Sequence, residues 1–108
     1  MQTRKHNPIH PGEVLRFDFL EPMGISVYRL ARETGVSAQQ LGRVIHGTRG
    51  VSGDLALRLA RYFGTSAKVW IGLQAQYELD VAEDAAGREI EKRVSPLRLQ
   101  GNKPLRAA

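Results

Sequence analysis

Two side chains in the segment from Ser37 to His46 have the chemistry needed to recognise base pairs. Gln39 carries an amide that can bond to N6 and N7 of adenine, and Arg43 carries a guanidinium that can bond to O6 and N7 of guanine. The two residues are four positions apart, so a helix would place them on one face. Ala38 beside them can contact the methyl group of thymine. This pattern predicts a helix that lies in the major groove of duplex DNA.

Polar residues around this helix are expected to contact phosphates rather than bases. Hydroxyl, amide and guanidinium groups near helix ends are frequent partners of phosphate oxygens. The residues are Ser37 and Gln40 on the helix, Thr48 and Arg49 in the loop after it, and Ser26 before the preceding helix. The alternative is that they are solvated polar residues and helix caps. His46 is expected to be a surface or packing histidine rather than a ligand.

Two short helices joined by a tight turn would position these side chains. The first is predicted over about residues 27–34 and the second, the recognition helix, over about residues 38–46. Gly35 fits the turn because glycine adopts positive φ without steric cost, and Ala31 is small enough for two helices to cross closely. Ser37 is a suitable N-cap. The arrangement is typical of a helix-turn-helix.

Further helices are predicted on both sides of this unit. One begins at Pro11 and stops at Pro22, because the residue before a proline avoids helical geometry. Another runs from its cap Ser52 to Gly64. A last helix begins at Thr65–Ser66 and ends somewhere between residues 79 and 93. No strand pattern is evident, so the predicted fold is all-α with five helices.

An apolar stripe on the last helix has two possible roles. It consists of Trp70, Leu73, Tyr77 and Val81, together with Val69. The stripe can complete the core of one protomer, or part of it can form a two-fold contact. One recognition helix reads few base pairs, whereas two related by symmetry read two half-sites. We therefore expect a homodimer with this helix and the segment after it as the interface.

The composition is that of one soluble domain of 108 residues, 42% hydrophobic and 25% charged. There is no cysteine, no apolar run long enough to span a membrane and no signal-peptide pattern, so the expected location is the cytoplasm. His6, His10 and His46 form no known catalytic or metal-binding spacing. We expect no enzyme activity, no metal and no cofactor. The net charge of +5 favours an acidic partner such as nucleic acid.

Charge is unevenly distributed along the chain. Acidic residues gather between residues 78 and 91, and the tail after them is basic. The predicted division is a flexible N-terminal segment over 1–10, the helix-turn-helix domain over 11–82, and a C-terminal extension over 83–108 that is partly helical and then flexible. Separated charges of this kind suggest two surfaces for two kinds of partner.

Five motifs follow one another in a fixed order along the chain. They are HPGEVL at residues 10–15, FLEPMG at 19–24, GTRGVS at 47–52, ALRLARYFGTS at 56–66 and WIGLQAQYEL at 70–79. Together they resemble the HigA-type antitoxins, also called VapI or Xre-type antitoxin proteins. The resemblance covers about residues 8–82 and is more specific than a helix-turn-helix alone.

The resemblance implies a lambda-repressor-like five-helix domain that dimerises and binds a palindromic operator in its own promoter. It also implies binding to a co-encoded HigB-type toxin, an mRNA-cleaving ribonuclease of the RelE/ParE superfamily. By position, base contacts would fall on Ala38, Gln39 and Arg43, and phosphate contacts on Ser37, Gln40 and Arg49. The acidic run, the N-terminal segment and the basic tail are rival sites for the toxin. Alternatives are a stand-alone Xre-type repressor and a toxin-binding module that has lost DNA affinity.

Overall fold

The computed structural model describes residues 7–98, and every regular element there is helical. In chain order the elements are α1 (Pro11–Val14), a π-helical segment (Leu15–Leu20), α2 (Glu21–Met23), α3 (Val27–Thr34), α4 (Ala38–Ile45), α5 (Gly53–Phe63) and α6 (Ala67–Arg93). The first three follow one another without a break, so the described residues form five helical rods. The predicted all-α fold with five helices is confirmed.

Serine side chains cap the N-termini of four of these helices, as the sequence predicts. Each accepts a hydrogen bond from the backbone N–H three residues further on, at 3.0 to 3.2 Å. The four caps are Ser26, Ser37, Ser52 and Ser66. Because a side-chain cap satisfies an N–H group that the helix itself leaves unpaired, these helix starts are fixed by local chemistry.

The first rod does not stop at Pro22 as expected from the sequence. Glu21 keeps right-handed helical angles, and the rod continues to Met23 before Gly24 ends it at φ 65°. The segment ahead of the proline is π-helical, and the Glu21 N–H bonds to the Arg16 carbonyl five residues back. A proline ring normally clashes with the carbonyl four residues earlier. The wider π turn relieves that clash, so the helix passes through the proline.

The core is assembled from all five rods around fully buried aliphatic side chains. Its buried members are Leu15, Leu20, Leu30, Val36, Leu41, Val44, Val51, Leu55, Ala56, Leu59, Ala60 and Trp70. Trp70 packs beside Phe19, with ring centroids 5.2 Å apart, and its indole N–H donates to the Thr65 hydroxyl at 2.9 Å. The aromatic contact attaches α6 to the first rod, and the hydrogen bond pairs the one polar atom of the indole.

The ends of the predicted domain differ in part from expectation. Residues 1–6 and 99–108 lie outside the described part, so the flexibility expected there stays a prediction. His10, expected to belong to the flexible segment, is buried and caps α1. At the other end α6 runs unbroken through residue 83 to Arg93. The helix thus ends within the range 79–93 predicted for it, and its last part is the helical portion predicted for the extension after residue 83.

Candidate nucleic-acid interface

The turn between α3 and α4 is closed in the way that a helix-turn-helix requires. Gly35 adopts φ 76° and its N–H bonds to the Ala31 carbonyl, which ends α3. The Arg58 guanidinium, from α5, donates to the Thr34 carbonyl at 2.8 Å and to Asp54 at 2.9 Å. An orphan carbonyl at the end of α3 is thus satisfied from a neighbouring helix, and the turn is tied to the body of the domain.

The exposed face of α4 presents the two predicted base-reading side chains. Gln39 and Arg43 are exposed, whereas Leu41 and Val44 on the opposite face are fully buried. Within residues 7–98 the Gln39 amide and the Arg43 guanidinium form no hydrogen bond or ion pair with protein groups. Ala38 is half-buried beside them. The face therefore offers unpaired hydrogen-bonding groups on a rigid support.

The backbone of α4 is also accessible at its middle. A Cβ atom built on Gly42 would meet nothing within 4 Å outside its own helix. By contrast, a Cβ atom on Gly12 would lie 1.9 Å from the Val44 carbonyl oxygen. The start of the first rod thus touches the backbone of α4 on its buried side. The exposed face with Gln39 and Arg43, which we call the front of α4, stays accessible.

Two of the predicted phosphate-contacting groups lie at helix N-termini. The Ser37 and Ser26 hydroxyls are exposed caps that accept hydrogen bonds, so the O–H of each remains available as a donor. Gln40 is half-buried, and its backbone N–H is the donor to Ser37. The positive end of a helix dipole at each site favours an anion. Phosphate contact by Ser26, Ser37 and Gln40 stays a prediction.

Thr48 has a structural task that the sequence did not indicate. Its backbone N–H and its hydroxyl both donate to the Arg43 carbonyl, at 2.9 and 3.2 Å. A phosphate contact through the Thr48 hydroxyl would have to replace the second bond. The side chain of Arg49, the next residue, is exposed and forms no hydrogen bond or ion pair within the described residues. His46 is exposed, and its ring nitrogen bonds to the Gly42 carbonyl at 2.8 Å, which fits the predicted surface histidine.

His10 connects the start of the first rod to α6. Its Nδ1 accepts from the Gly12 N–H at 2.9 Å, and its ring packs edge-on against Tyr77 with centroids 4.8 Å apart. Burial lowers the pKa of His10 below its ordinary value, against opposing effects of the Glu13 charge and the Arg49 backbone. An Nδ1 that accepts a hydrogen bond carries no proton, so the buried cap needs the neutral imidazole.

A second polar link joins α3 to α5. The Tyr62 hydroxyl donates to the Glu33 carboxylate, which also accepts from Arg29 Nε at 3.3 Å. The bond from Tyr62 lowers the pKa of Glu33, and the same bond raises the pKa of Tyr62. The spacing of residues in the sequence predicts neither the contact of His10 with Tyr77 nor that of Glu33 with Tyr62, because the partners are far apart in sequence.

The chain is similar in sequence and in fold to known helix-turn-helix proteins. A helix-turn-helix family model matches residues 18–70. Virulence-associated protein I of Dichelobacter nodosus is 45% identical over 75 residues, covering 69% of each chain. The Pseudomonas aeruginosa antitoxin HigA, solved with the higBA promoter, is 47% identical with a TM-score of 0.81, over 84% of this chain and 99% of that one.

The chain belongs to the HigA-type (VapI/Xre) helix-turn-helix family. Another solved relative, the antitoxin GraA in complex with its operator, is 37% identical with a TM-score of 0.83, over 92% of this chain and 100% of that one. The family is one of DNA-binding antitoxins and repressors and not an enzyme family. Within residues 7–98 no group of His, Asp or Glu side chains can hold a metal ion. No helix in the same part is long and apolar enough to cross a membrane.

Most of the stripe expected at the dimer interface faces the inside of this HigA-type protomer. Trp70 is fully buried, so it is a core residue and cannot offer its side chain to a second copy. Leu73 packs against the core, and Tyr77 packs on His10. Val81 is 36% exposed at the margin. The sequence pattern could not distinguish the two faces of α6, because both carry apolar residues.

Proposed function

We propose that this chain is the DNA-binding antitoxin of a HigBA-type toxin–antitoxin pair in the cytoplasm. It binds operator DNA as a dimer, represses its own operon, and neutralises a co-encoded mRNA-cleaving toxin of the RelE/ParE superfamily. The observation that carries the proposal is the front of α4, where Gln39 and Arg43 are exposed without protein partners in the described residues. Free amide and guanidinium groups on a supported helix fit the donor and acceptor pattern of base edges.

Operator binding is supported by two relatives that were solved with DNA, one with a promoter and one with its operator. The test is a gel-shift titration of the purified chain on the DNA upstream of its own gene. A scrambled duplex of equal length should bind at least about a thousandfold more weakly. Gln39→Ala should reduce operator affinity, and Gln76→Ala on α6 should not. Equal binding of both duplexes would exclude sequence-specific recognition.

The dimer contact is proposed on the outer face of α6. Ile71, Leu79 and Ile90 are 41%, 65% and 52% exposed, on a helix whose Trp70 side is buried. Ala75, Ala82 and Ala86 lie between them at spacings of three or four residues, so the six side chains form one continuous stripe. An exposed apolar stripe of this length is typical of a protein contact. This outer stripe differs from the stripe predicted from the sequence, for which a dimer contact of Leu73, Tyr77 and Val81 stays a prediction.

Two matched leucines test this surface. Leu79 on α6 and Leu57 on α5 are each 65% exposed. Leu79→Glu should convert the dimer to a monomer in analytical ultracentrifugation, because it places charges in the contact. Leu57→Glu should leave the dimer intact. If both variants, or neither, changed the sedimentation coefficient, the outer face of α6 would not be the contact.

Toxin binding is supported by the family and by the acidic residues of α6. Glu78, Glu83, Glu89 and Glu91 are exposed along the helix, and a ribonuclease must carry positive charge to hold RNA. Co-expression with the neighbouring gene and purification through a tag on the toxin should recover a complex. Charge reversal at Glu89 and Glu91 should weaken it, whereas reversal at Glu21, on the first rod, should not. Promoter binding without any toxin complex would indicate a stand-alone repressor.

A further inference from the structure

The loop after α4, residues 46–52, is held by a side chain from α6. We refer to it as the exit loop. It carries Thr48 and Arg49, and near its end lies Val51, which is buried. The Val51 N–H donates to Gln74 Oε1 at 2.8 Å, across 23 residues of sequence. This bond fixes the end of the exit loop to a helix that the recognition unit does not contain.

Both polar atoms of the Gln74 amide, its oxygen and its nitrogen, are hydrogen-bonded. Its Nε2 donates to Glu78 Oε2 at 2.8 Å, one turn further along α6. A Cβ atom built on Gly50 would lie 2.8 to 2.9 Å from three atoms of this amide. The amide therefore lies against the glycine backbone, and any side chain at position 50 would displace it. Glycine at position 50 and glutamine at position 74 fit each other.

The His10 ring connects α6 to the earlier part of the exit loop. Tyr77, one turn after Gln74, packs against the His10 ring. That ring lies 3.8 Å from the position of a Cβ atom on Gly47. Thr48 is tied to α4 through the Arg43 carbonyl. The exit loop is thus anchored before and after Arg49, whose side chain has no partner within the described residues.

We propose that Gln74 is a positioning residue for DNA binding, which fixes the exit loop so that Arg49 is held ready for a phosphate. The proposal rests on the operator binding proposed above. A loop that is already ordered loses less conformational entropy when it binds. Without the Gln74 anchor the loop would have to be ordered by the DNA, a cost that would leave the phosphate contact of Arg49 largely unformed.

Gln74→Met tests the proposal because it keeps the length of the side chain and removes both polar ends. Gln76→Met is the matched control, since Gln76 makes the same bond to a carboxylate four residues on, Asp80, without touching the exit loop. We expect Gln74→Met to weaken operator binding about three- to tenfold. The slope of log affinity against log salt concentration should become shallower by about 0.9, the value for one phosphate. Gln76→Met should match the wild type in both.

Two further measurements separate positioning from general destabilisation. Amide hydrogen exchange at Val51, whose N–H bonds to Gln74, should accelerate in Gln74→Met while the amides of α4 and α5 stay protected. Arg49→Ala should cost much less affinity in the Gln74→Met background than in the wild type. Gly50→Ala, which pushes the Gln74 amide aside from the loop, should reproduce these effects without altering α6.

The outcomes distinguish this proposal from the proposed function. Wild-type operator binding with equal affinities and salt slopes for Gln74→Met and Gln76→Met would overturn the positioning role alone. Additive losses for Arg49→Ala and Gln74→Met would overturn it as well. If the wild-type chain itself bound no operator, the proposed function would fail first, and the positioning role with it.

Discussion

The front of α4 and the outer face of α6 are both exposed, but they expose different chemistry. α4 presents an amide and a guanidinium without protein partners in the described residues, on a helix whose back is fully buried. α6 presents Ile71, Leu79 and Ile90 at helical spacing, and Trp70 is its buried residue. Unpaired polar groups on a rigid element suit a ligand with complementary edges, whereas an apolar stripe suits another protein surface. Under the proposed function, one small domain thus separates recognition of DNA from contact with proteins.

Truncation of Trp70 should produce the largest effect, because this side chain belongs to the protomer and not to the outer face of α6. Trp70→Ala should lower the free energy of unfolding by about 3–5 kcal/mol. Urea denaturation at two protein concentrations measures it, and the loss should be similar at both. Ile71→Ala, one residue away and exposed, should cost far less. A Trp70→Ala variant that was folded, stable and monomeric would place Trp70 at the interface instead.

Loss of the Arg43 guanidinium should affect DNA binding through α4 and leave the protein contact on α6 unchanged. Arg43→Ala should weaken operator binding by about 1–3 kcal/mol and relax the base preference at one position. Binding to a set of singly substituted operators measures both. Arg61→Ala, an exposed arginine on α5, controls for the change in net charge. Equal losses on operator and random DNA would show that Arg43 contacts phosphate alone.

Arg49→Ala should give a smaller effect that does not depend on DNA sequence. Removal of one phosphate contact should lower affinity for operator and random duplexes alike and make the salt slope shallower by about 0.9. Titrations at several salt concentrations with each duplex measure the slope. Unchanged affinity at low salt would remove Arg49 from the interface.

Acidification should weaken the support behind α4 through His10. Because burial lowers the pKa of His10, the unfolded chain binds more protons than the folded chain below about pH 6.5. The contribution of His10 to the free energy of unfolding is therefore largest above that pH. It declines as the pH falls towards the pKa of His10 in the folded chain. His10→Asn keeps a capping oxygen but does not titrate. Between pH 8 and pH 5 the melting temperature should fall more steeply for the wild type than for His10→Asn. Parallel curves of melting temperature against pH for the two proteins would contradict the prediction.

The parts of the fold that follow from local chemistry could be predicted from the sequence. The serine caps at Ser26, Ser37 and Ser52, and the glycine turn at Gly35, depend on neighbours within a few residues. The exposed pair Gln39 and Arg43 followed from helical spacing once those caps were known. Their contacts with DNA remain predictions.

The remaining features depend on residues that are distant in sequence. Gln74 meets Val51 across 23 residues, and His10 meets Tyr77 across the whole domain. The inward direction of Trp70 is decided by Phe19 and Thr65, which periodicity on α6 alone cannot reveal. The passage through Pro22 required a π turn, a variation in pitch that no residue type encodes locally.

The π-helical segment has a consequence for chain length. Leu15 and Leu20 are five residues apart, yet both are buried on the same side of the rod. A regular α-helix stacks residues four apart, whereas bonds between residues five apart make room for one more. Relatives with one residue fewer between these leucines could keep the same packing with an ordinary α turn. In this chain such a deletion would also restore the α turn that the Pro22 ring disfavours, so the spacing of the two leucines is linked to the proline.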